Sequence, residues 1–205
     1  MRDFGLGKGT FMSAATRPQD LTAKARIRNK ALELFALHGE EGTSMRDIAA
    51  GAGVTVGLIV HHFGTKDRLR HEVDLYVVEQ FAEAIAAVPT DSAPRDVGRR
   101  RDQAVADMLA SQPLVVTYVR RAALGLNGPD SDLMTRLTQL AIDETDKARA
   151  AGLATAHGSD AHTVIRTMTR QLGQLLLQPM IDSIWDQVGG RADSADKPRL
   201  LVRIE

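Results

Sequence analysis

Residues 44–63 read SMRDIAAGAGVTVGLIVHHF. Ser44, with Asp47 three positions on, is a capping-box-like start for a short helix. The apolar positions of that helix are Met45, Ile48 and Ala49, and Gly51 and Gly53 stop it. Thr55 can cap a third short helix, running to about His62. Two short helices joined by a tight glycine turn have definite requirements. The first helix needs a small residue where the second crosses it, which is Ala49. The turn needs a residue that tolerates positive φ, which is Gly53, four positions later. Both helices need buried apolar groups, which are Ile48, Val54 and Ile59. All of these stand in register, and together they spell the helix-turn-helix of a DNA-binding unit. An ordinary helical hairpin explains the apolar positions but explains the joint Ala–Gly–Ile spacing less well.

Working outward, Ile27, Ala31, Leu34 and Phe35 fall on one face of a first helix that starts near Thr22. Its other side carries Lys24, Arg26, Arg28 and Lys30, and Gly39 and Gly42 end it. Thr65 can cap a long fourth helix through Leu69, Val73, Val77 and Phe81, ending before Pro89. The stretch PTDSAP at 89–94 reads as a linker. Further helices are expected near 95–111, 114–125, 131–151 and 160–178. Breaks fall at Pro113, at the turn Asn127–Asp130 and in the loop 156–160. Pro179 should kink or break the last helix. Residues 1–20 read as a flexible arm in which Met12 is an alternative start, and residues 189–205 as a loose polar tail. The glycines of Gly5–Thr10 have the wrong spacing for a phosphate loop.

Composition bounds the class. The chain has 205 residues, with 43% hydrophobic and only 4% aromatic side chains. Abundant Ala and Leu with few β-branched runs favour an all-α chain. The absence of cysteine removes disulfides, thiol catalysis, zinc–cysteine sites and iron–sulfur clusters. No run of apolar residues is long enough to cross a membrane. No secretory signal is legible at the N-terminus, and the expected compartment is the cytoplasm. The 26 basic and 26 acidic residues cancel, which at first argues against nucleic acid. The two halves differ, however. Residues 1–70 hold 11 basic and 7 acidic groups, while residues 71–205 hold 15 and 19. One half can face phosphates while the other is repelled by them.

The run GTSMRDIAAGAGVTVGLIVHHFGTKDRL resembles the N-terminal domain of the tetracycline-repressor (TetR) family. The matching positions are Ser44, Ile48, Ala49, Ala52, Gly53, Val54, Thr55, Gly57, Ile59, His62, Phe63, Thr65, Lys66, Asp67 and Leu69. The resemblance covers about residues 22–70; beyond that only length and helical layout agree. Val60 stands where the family usually has a phosphate-contacting tyrosine, and His61 or His62 is the available substitute. The expected organisation is an arm at 1–20, a helix-turn-helix domain at 21–70, a larger helical ligand-binding and dimerisation domain at 71–188, and the tail at 189–205.

The third helix is then expected to enter the major groove. Thr55, Val56, Gly57 and His61 are the candidate groove contacts, with Gly57 equally readable as a helix-packing glycine and His62 as a filler beside Phe63. Ser44 and Arg46 on the second helix, and Lys66 in the first turn of the fourth, are the candidate phosphate contacts. The basic run 24–30 would flank them.

In the second half the resemblance implies a small-molecule pocket and a homodimer. Met108, Tyr118, Met134, Met168, Gln171 and Trp185 are the ligand candidates, each equally readable as core. Leu133, Leu137, Leu172 and Leu175 are candidates for the dimer surface or the core, and Gly173 would allow a close helix approach. Arg99-Arg100-Arg101 reads as a solvated face or as an attractor of an acidic ligand or of the DNA-binding domain. His157, Asp160 and His162 have no diagnostic metal spacing. No cofactor or metal is called for. A repressor that leaves a near-palindromic operator when a small molecule binds is the leading reading. An enzyme, for which no catalytic constellation is legible, and an all-helical interaction module are the alternatives.

Overall fold

The computed structural model describes residues 22–91, 93–127, 131–153, 159–189 and 196–202. The N-terminal arm, its glycine run, and His157 of the weighed metal group lie outside them. Among the described residues the fold is all-helical, in the order α1 (Ala23–His38), α2 (Met45–Ala52), α3 (Val56–Phe63), α4 (Lys66–Ala86), α5 (Pro94–Ser111), α6 (Pro113–Ala123), α7 (Leu133–Ala150) and α8 (Asp160–Gln187).

Local chemistry sets most of the starts. Thr22, Ser44, Thr55, Thr65 and Ser159 each accept a backbone N–H in the first turn of the helix they precede. Each such cap is worth about 1 kcal/mol. Pro113 opens α6, where its missing N–H costs nothing. Gly53 ends α2 in the left-handed region at φ 64°, as the turn requires.

A buried apolar cluster runs from Ile27, Phe35, Ile48 and Ile59 through Leu69, Val73 and Val77 of α4 to Val105, Val115, Val119 and Leu133. The helix-turn-helix and the later helices therefore share one core, with α4 as its spine. Leu133 and Leu137 belong to this core, which removes them from the dimer surface considered for them.

Two expectations are corrected, one in α8 and one beyond it. Of the kink or break expected at Pro179, the break does not occur, and the helix continues to Gln187. A proline leaves the carbonyl four residues back without its N–H partner. Here that carbonyl belongs to Leu175, and it accepts instead from Arg120 Nε of α6 at 2.8 Å. The described part of the tail is not loose either. Lys197 pairs with Asp182 at 3.2 Å. Gln178 accepts from Leu200 N at 2.8 Å and donates to the Pro198 carbonyl at 3.0 Å. Val202 lies over Gly173, where an added Cβ would sit 2.7 Å from its methyl. Gly173 thus admits the tail to α8.

Candidate nucleic-acid interface and effector cavity

The helix-turn-helix is built as the spacing demands. Ile48 and Ile59 are fully buried and Ala49 nearly so, which lets α2 and α3 cross closely. Ser44 and Asp47 form a complete capping box. The Ser44 hydroxyl donates to Asp47 Oδ2 at 2.6 Å. Its proton is therefore spent inside the protein, and Ser44 is less available to a phosphate than its position suggested. Thr55 Oγ1 only accepts, from Leu58 N at 3.3 Å, and keeps its own proton for an outside acceptor.

Hydrogen bonds from the Ser44 hydroxyl, and then from its backbone N–H, hold the Asp47 carboxyl below the usual aspartate range. A lowered folded-state pKa means that this contribution to stability is present above the unfolded value and is lost as pH falls through the folded one. In a carbon-detected NMR titration the Asp47 carboxyl should titrate below ordinary aspartates, and Ser44→Ala should move it back up. An unmoved midpoint would break this account of the cap.

The outward face of α3 carries Val56, Gly57, Val60, His61 and His62, all exposed. The His61 and His62 rings meet edge to face with centroids 5.3 Å apart, and His62 meets Phe63 the same way at 6.1 Å. A Cβ added at Gly57 would come no closer than 3.9 Å to another atom, the Thr55 hydroxyl. Helix packing therefore does not need this glycine, and the open space lies on the outward face. Arg46 is exposed at the start of α2.

Lys66 has a different task from the one expected. Its ammonium donates to the Glu40 carbonyl at 3.0 Å and the Thr43 carbonyl at 3.3 Å, clamping the start of α4 to the α1–α2 corner. The basic run of α1 is largely consumed as well. Lys24 pairs with Glu72 and lies over the Phe63 ring, Arg28 stacks 3.8 Å from the centre of the Tyr76 ring, and Lys30 pairs with Glu33. Arg26 remains exposed. Arg68, which the sequence reading passed over, is exposed beside Gly64 at the α3–α4 corner. Its position two residues after the more conspicuous Lys66 was the only signal.

Behind this surface lies a buried polar chain. Glu40 pairs with Arg70 Nε at 3.0 Å, and Arg70 Nη1 donates to Asp74 at 3.3 Å. The other Asp74 oxygen accepts from the Tyr118 hydroxyl at 2.6 Å. Burial pushes the Asp74 carboxyl up, against the pull of Tyr118 and Arg70. Burial and the neighbouring carboxylate push the Tyr118 phenol far up, so it stays a donor. Arg121 of α6 lies directly over Gly39, where a Cβ would meet its guanidinium. The chain links the α1–α2 corner, α4 and α6.

A cavity of about 380 Å³ opens among α4, α5, α7 and α8. Of the ligand candidates, Met168 and Gln171 line it. Tyr118 does not, because it is buried with its hydroxyl committed to Asp74. Met108 and Met134 pack on the core, and Trp185 lies on α8 away from the lining. Leu172 and Leu175 line the cavity rather than an outer face. Arg101, the last of the arginine triplet, is part of the wall, while Arg99 pairs with Asp96 at the surface.

The bacterial regulatory protein, tetR family model matches residues 27–73. The HTH-type transcriptional regulatory protein RaaS of Mycobacterium tuberculosis is 35% identical over 131 residues, 64% of this chain and 57% of that protein. The match thus spans little more than half of that relative. An HTH-type transcriptional repressor of the same species is 53% identical over 45 residues, 22% of this chain and 24% of its own. Among solved structures, a tetR family transcription regulator from Shewanella sp. PV-4 superposes with a TM-score of 0.63 at 22% identity, over 82% of this chain and 92% of that one. The TetR family regulator PfmR from Thermus thermophilus does so with a TM-score of 0.51 at 20% identity, over 84% and 90%. At these identities the structural likeness speaks for the fold alone. These sequence relatives carry the names of transcriptional regulators. The glycine turn, the two crossing helices and these matches agree: residues 27–73 form a helix-turn-helix domain of the tetR family of bacterial regulatory proteins.

Proposed function

We propose that the protein is a DNA-binding transcriptional regulator, a repressor that leaves a near-palindromic operator when a small molecule occupies the cavity among α4, α5, α7 and α8. The observation that carries the reading is the outward face of α3. It presents Val56, His61 and the proton of Thr55 around a glycine that the fold itself does not use. Such a face suits the major groove, where methyl groups can meet thymine and a bare backbone can approach closely. Arg46, Arg68 and Arg26 are the proposed phosphate contacts. The repressor sense is supported by a relative that carries that name.

One helix-turn-helix reads few base pairs, so two copies are required, set about 34 Å apart on one side of the duplex. The dimer surface that best fits is the stripe of Leu177, Met180 and Ile184 on α8 with Val188 just past its end, residues that are 45% to 72% exposed. An apolar stripe of this kind is covered in a stable soluble protein.

Gel-shift titration against DNA flanking the protein's own gene tests the reading. The wild type should bind at low salt, and binding should weaken steeply as salt rises, because phosphate contacts release counterions. Gly53→Val should lose operator binding while the dimer persists in sedimentation. A Cβ at Gly53 meets nothing within 4 Å, so the effect is purely conformational. A β-branched residue held at φ 64° is strained by about 1–3 kcal/mol. Failure of the wild type to bind would end the proposal, and equal binding by the variant would end the assignment of the turn.

A further inference from the structure

Residues 197–202 are tied to α8 on both sides of Pro179. They run back along the helix, antiparallel to it. Lys197 reaches Asp182, Pro198 and Leu200 reach Gln178, Leu200 also reaches Gln174, and Val202 reaches Gly173. Gln174, Gln178 and Asp182 stand four residues apart, so they line one side of the helix. Gln178 is the centre of the arrangement. Its amide oxygen accepts from Leu200 N at 2.8 Å, and its amide nitrogen donates to the Pro198 carbonyl at 3.0 Å and to Asp182 Oδ1 at 2.9 Å. The same Asp182 oxygen pairs with Lys197 Nζ at 3.2 Å. The Gln174 amide donates to the Leu200 carbonyl at 3.3 Å, so both backbone groups of Leu200 are bonded to side chains of α8.

The position of these bonds gives them a task. A proline removes one helix hydrogen bond and crowds the carbonyl four residues back, so a helix bends most easily there. Arg120 of α6 takes the freed Leu175 carbonyl. The tail spans the same weak point, with Gly173, Gln174 and Gln178 before Pro179 and Asp182 after it. The exposed apolar stripe is divided at the same place, Leu177 standing before the proline and Met180 and Ile184 after it. We infer that residues 197–202 are a strap that fixes the two halves of α8 in one alignment across Pro179, and so presents Leu177, Met180 and Ile184 together to a second copy of the chain. With the strap released, the half from Met180 to Gln187 hinges at the proline and the stripe loses its common face. A surface already held in its bound shape loses less freedom on association, so the strap strengthens the dimer without having to touch the partner. This inference rests on the proposed use of that stripe as the dimer surface.

Hydrogen exchange read by mass spectrometry, with sedimentation equilibrium, tests it on the full chain in two variants that release the strap. Gly173→Val places a Cβ 2.7 Å from the Val202 methyl and displaces it. Gln178→Ala removes both bonds to the tail backbone and the one to Asp182. At concentrations that keep each protein dimeric, exchange in 180–187 should rise at least about tenfold while 160–172 keeps its wild-type protection. The dimer dissociation constant should rise at least about tenfold as well. Adding Pro179→Ala to either variant returns the missing N–H and should bring both quantities back toward wild type, because an unbroken ladder needs no strap. Unchanged exchange in 180–187 would overturn the inference. Protection lost from every helix in both variants, or no recovery with Pro179→Ala, would overturn it too, since the tail would then be a general packing contact. A wild type that sediments as a monomer ends the dimer surface and this inference together. A dimeric wild type whose assembly is unmoved by releasing 180–187 ends this inference alone.

Discussion

Asp74→Ala should cost about 3–5 kcal/mol of folding stability, the usual result of removing one partner from a buried ionic cluster. Asp74 is 0% exposed, and Arg70 is 5% exposed. Together they join Glu40 to Tyr118 across three elements. Without the carboxylate, the Tyr118 hydroxyl loses its acceptor and Arg70 keeps only Glu40. The vacated volume adds a cavity term to the lost bonds. Tyr118→Phe should be milder, about 1–3 kcal/mol, because it leaves one carboxylate oxygen unpaired and little space unfilled. Urea unfolding followed by circular dichroism measures both, with the midpoint shifting at a constant slope. A loss below about 1 kcal/mol for Asp74→Ala would mean that water replaces the carboxylate and that the chain is not a sealed unit.

Gly57→Leu should separate folding from DNA binding. Gly57 is the second residue of α3, so its cost relative to alanine is at most the ~0.5–1 kcal/mol of a helix interior. The Cβ direction at Gly57 is open apart from the Thr55 hydroxyl at 3.9 Å. Thermal stability should therefore hold or rise slightly. Operator affinity should fall on the order of 100-fold, the equivalent of losing one or two base-edge contacts of ~1–3 kcal/mol each. The leucine would stand between α3 and the groove floor. Fluorescence anisotropy with a labelled operator reads the affinity, and a melting curve reads the stability. If both quantities stayed at wild-type values, the outward face of α3 would not be the reading surface. If stability collapsed instead, Gly57 would serve packing after all.

These predictions draw on two kinds of information. The helix-turn-helix was legible residue by residue. Ser44 with Asp47, Thr55 and Thr65 mark helix starts that the structure confirms, and Gly53 takes the left-handed turn that its spacing called for. The charge division was also legible, as eleven basic against seven acidic groups in residues 1–70. The individual cations were not. Lys66 and most of the run 24–30 are held by carbonyls, acids and rings, whereas Arg68 is exposed. A basic residue announces its charge in the sequence but not its partner, and an arginine or lysine stem reaches far enough to find several.

The same division runs through the second half. Helix content, the break at Pro113 and the apolar faces followed from the sequence alone, because caps, turns and periodicity depend on residues a few positions apart. Pro179 did not end its helix, because Arg120, 55 positions away from Leu175, satisfies the carbonyl that the proline orphaned. Tyr118 proved to be a buried donor to Asp74, 44 positions distant, rather than a ligand contact. Arg101 and Arg170 reach one cavity from α5 and α8, each holding a carboxylate of another helix. The sequence by itself determined where the helices start, how the reading head turns and which half carries the positive charge, since these are short-range properties of the backbone and composition. Only the tertiary structure decided which polar groups are spent inside the fold and which remain for DNA or a ligand, because hydrogen bonds and ion pairs between distant segments exist only once the helices have packed.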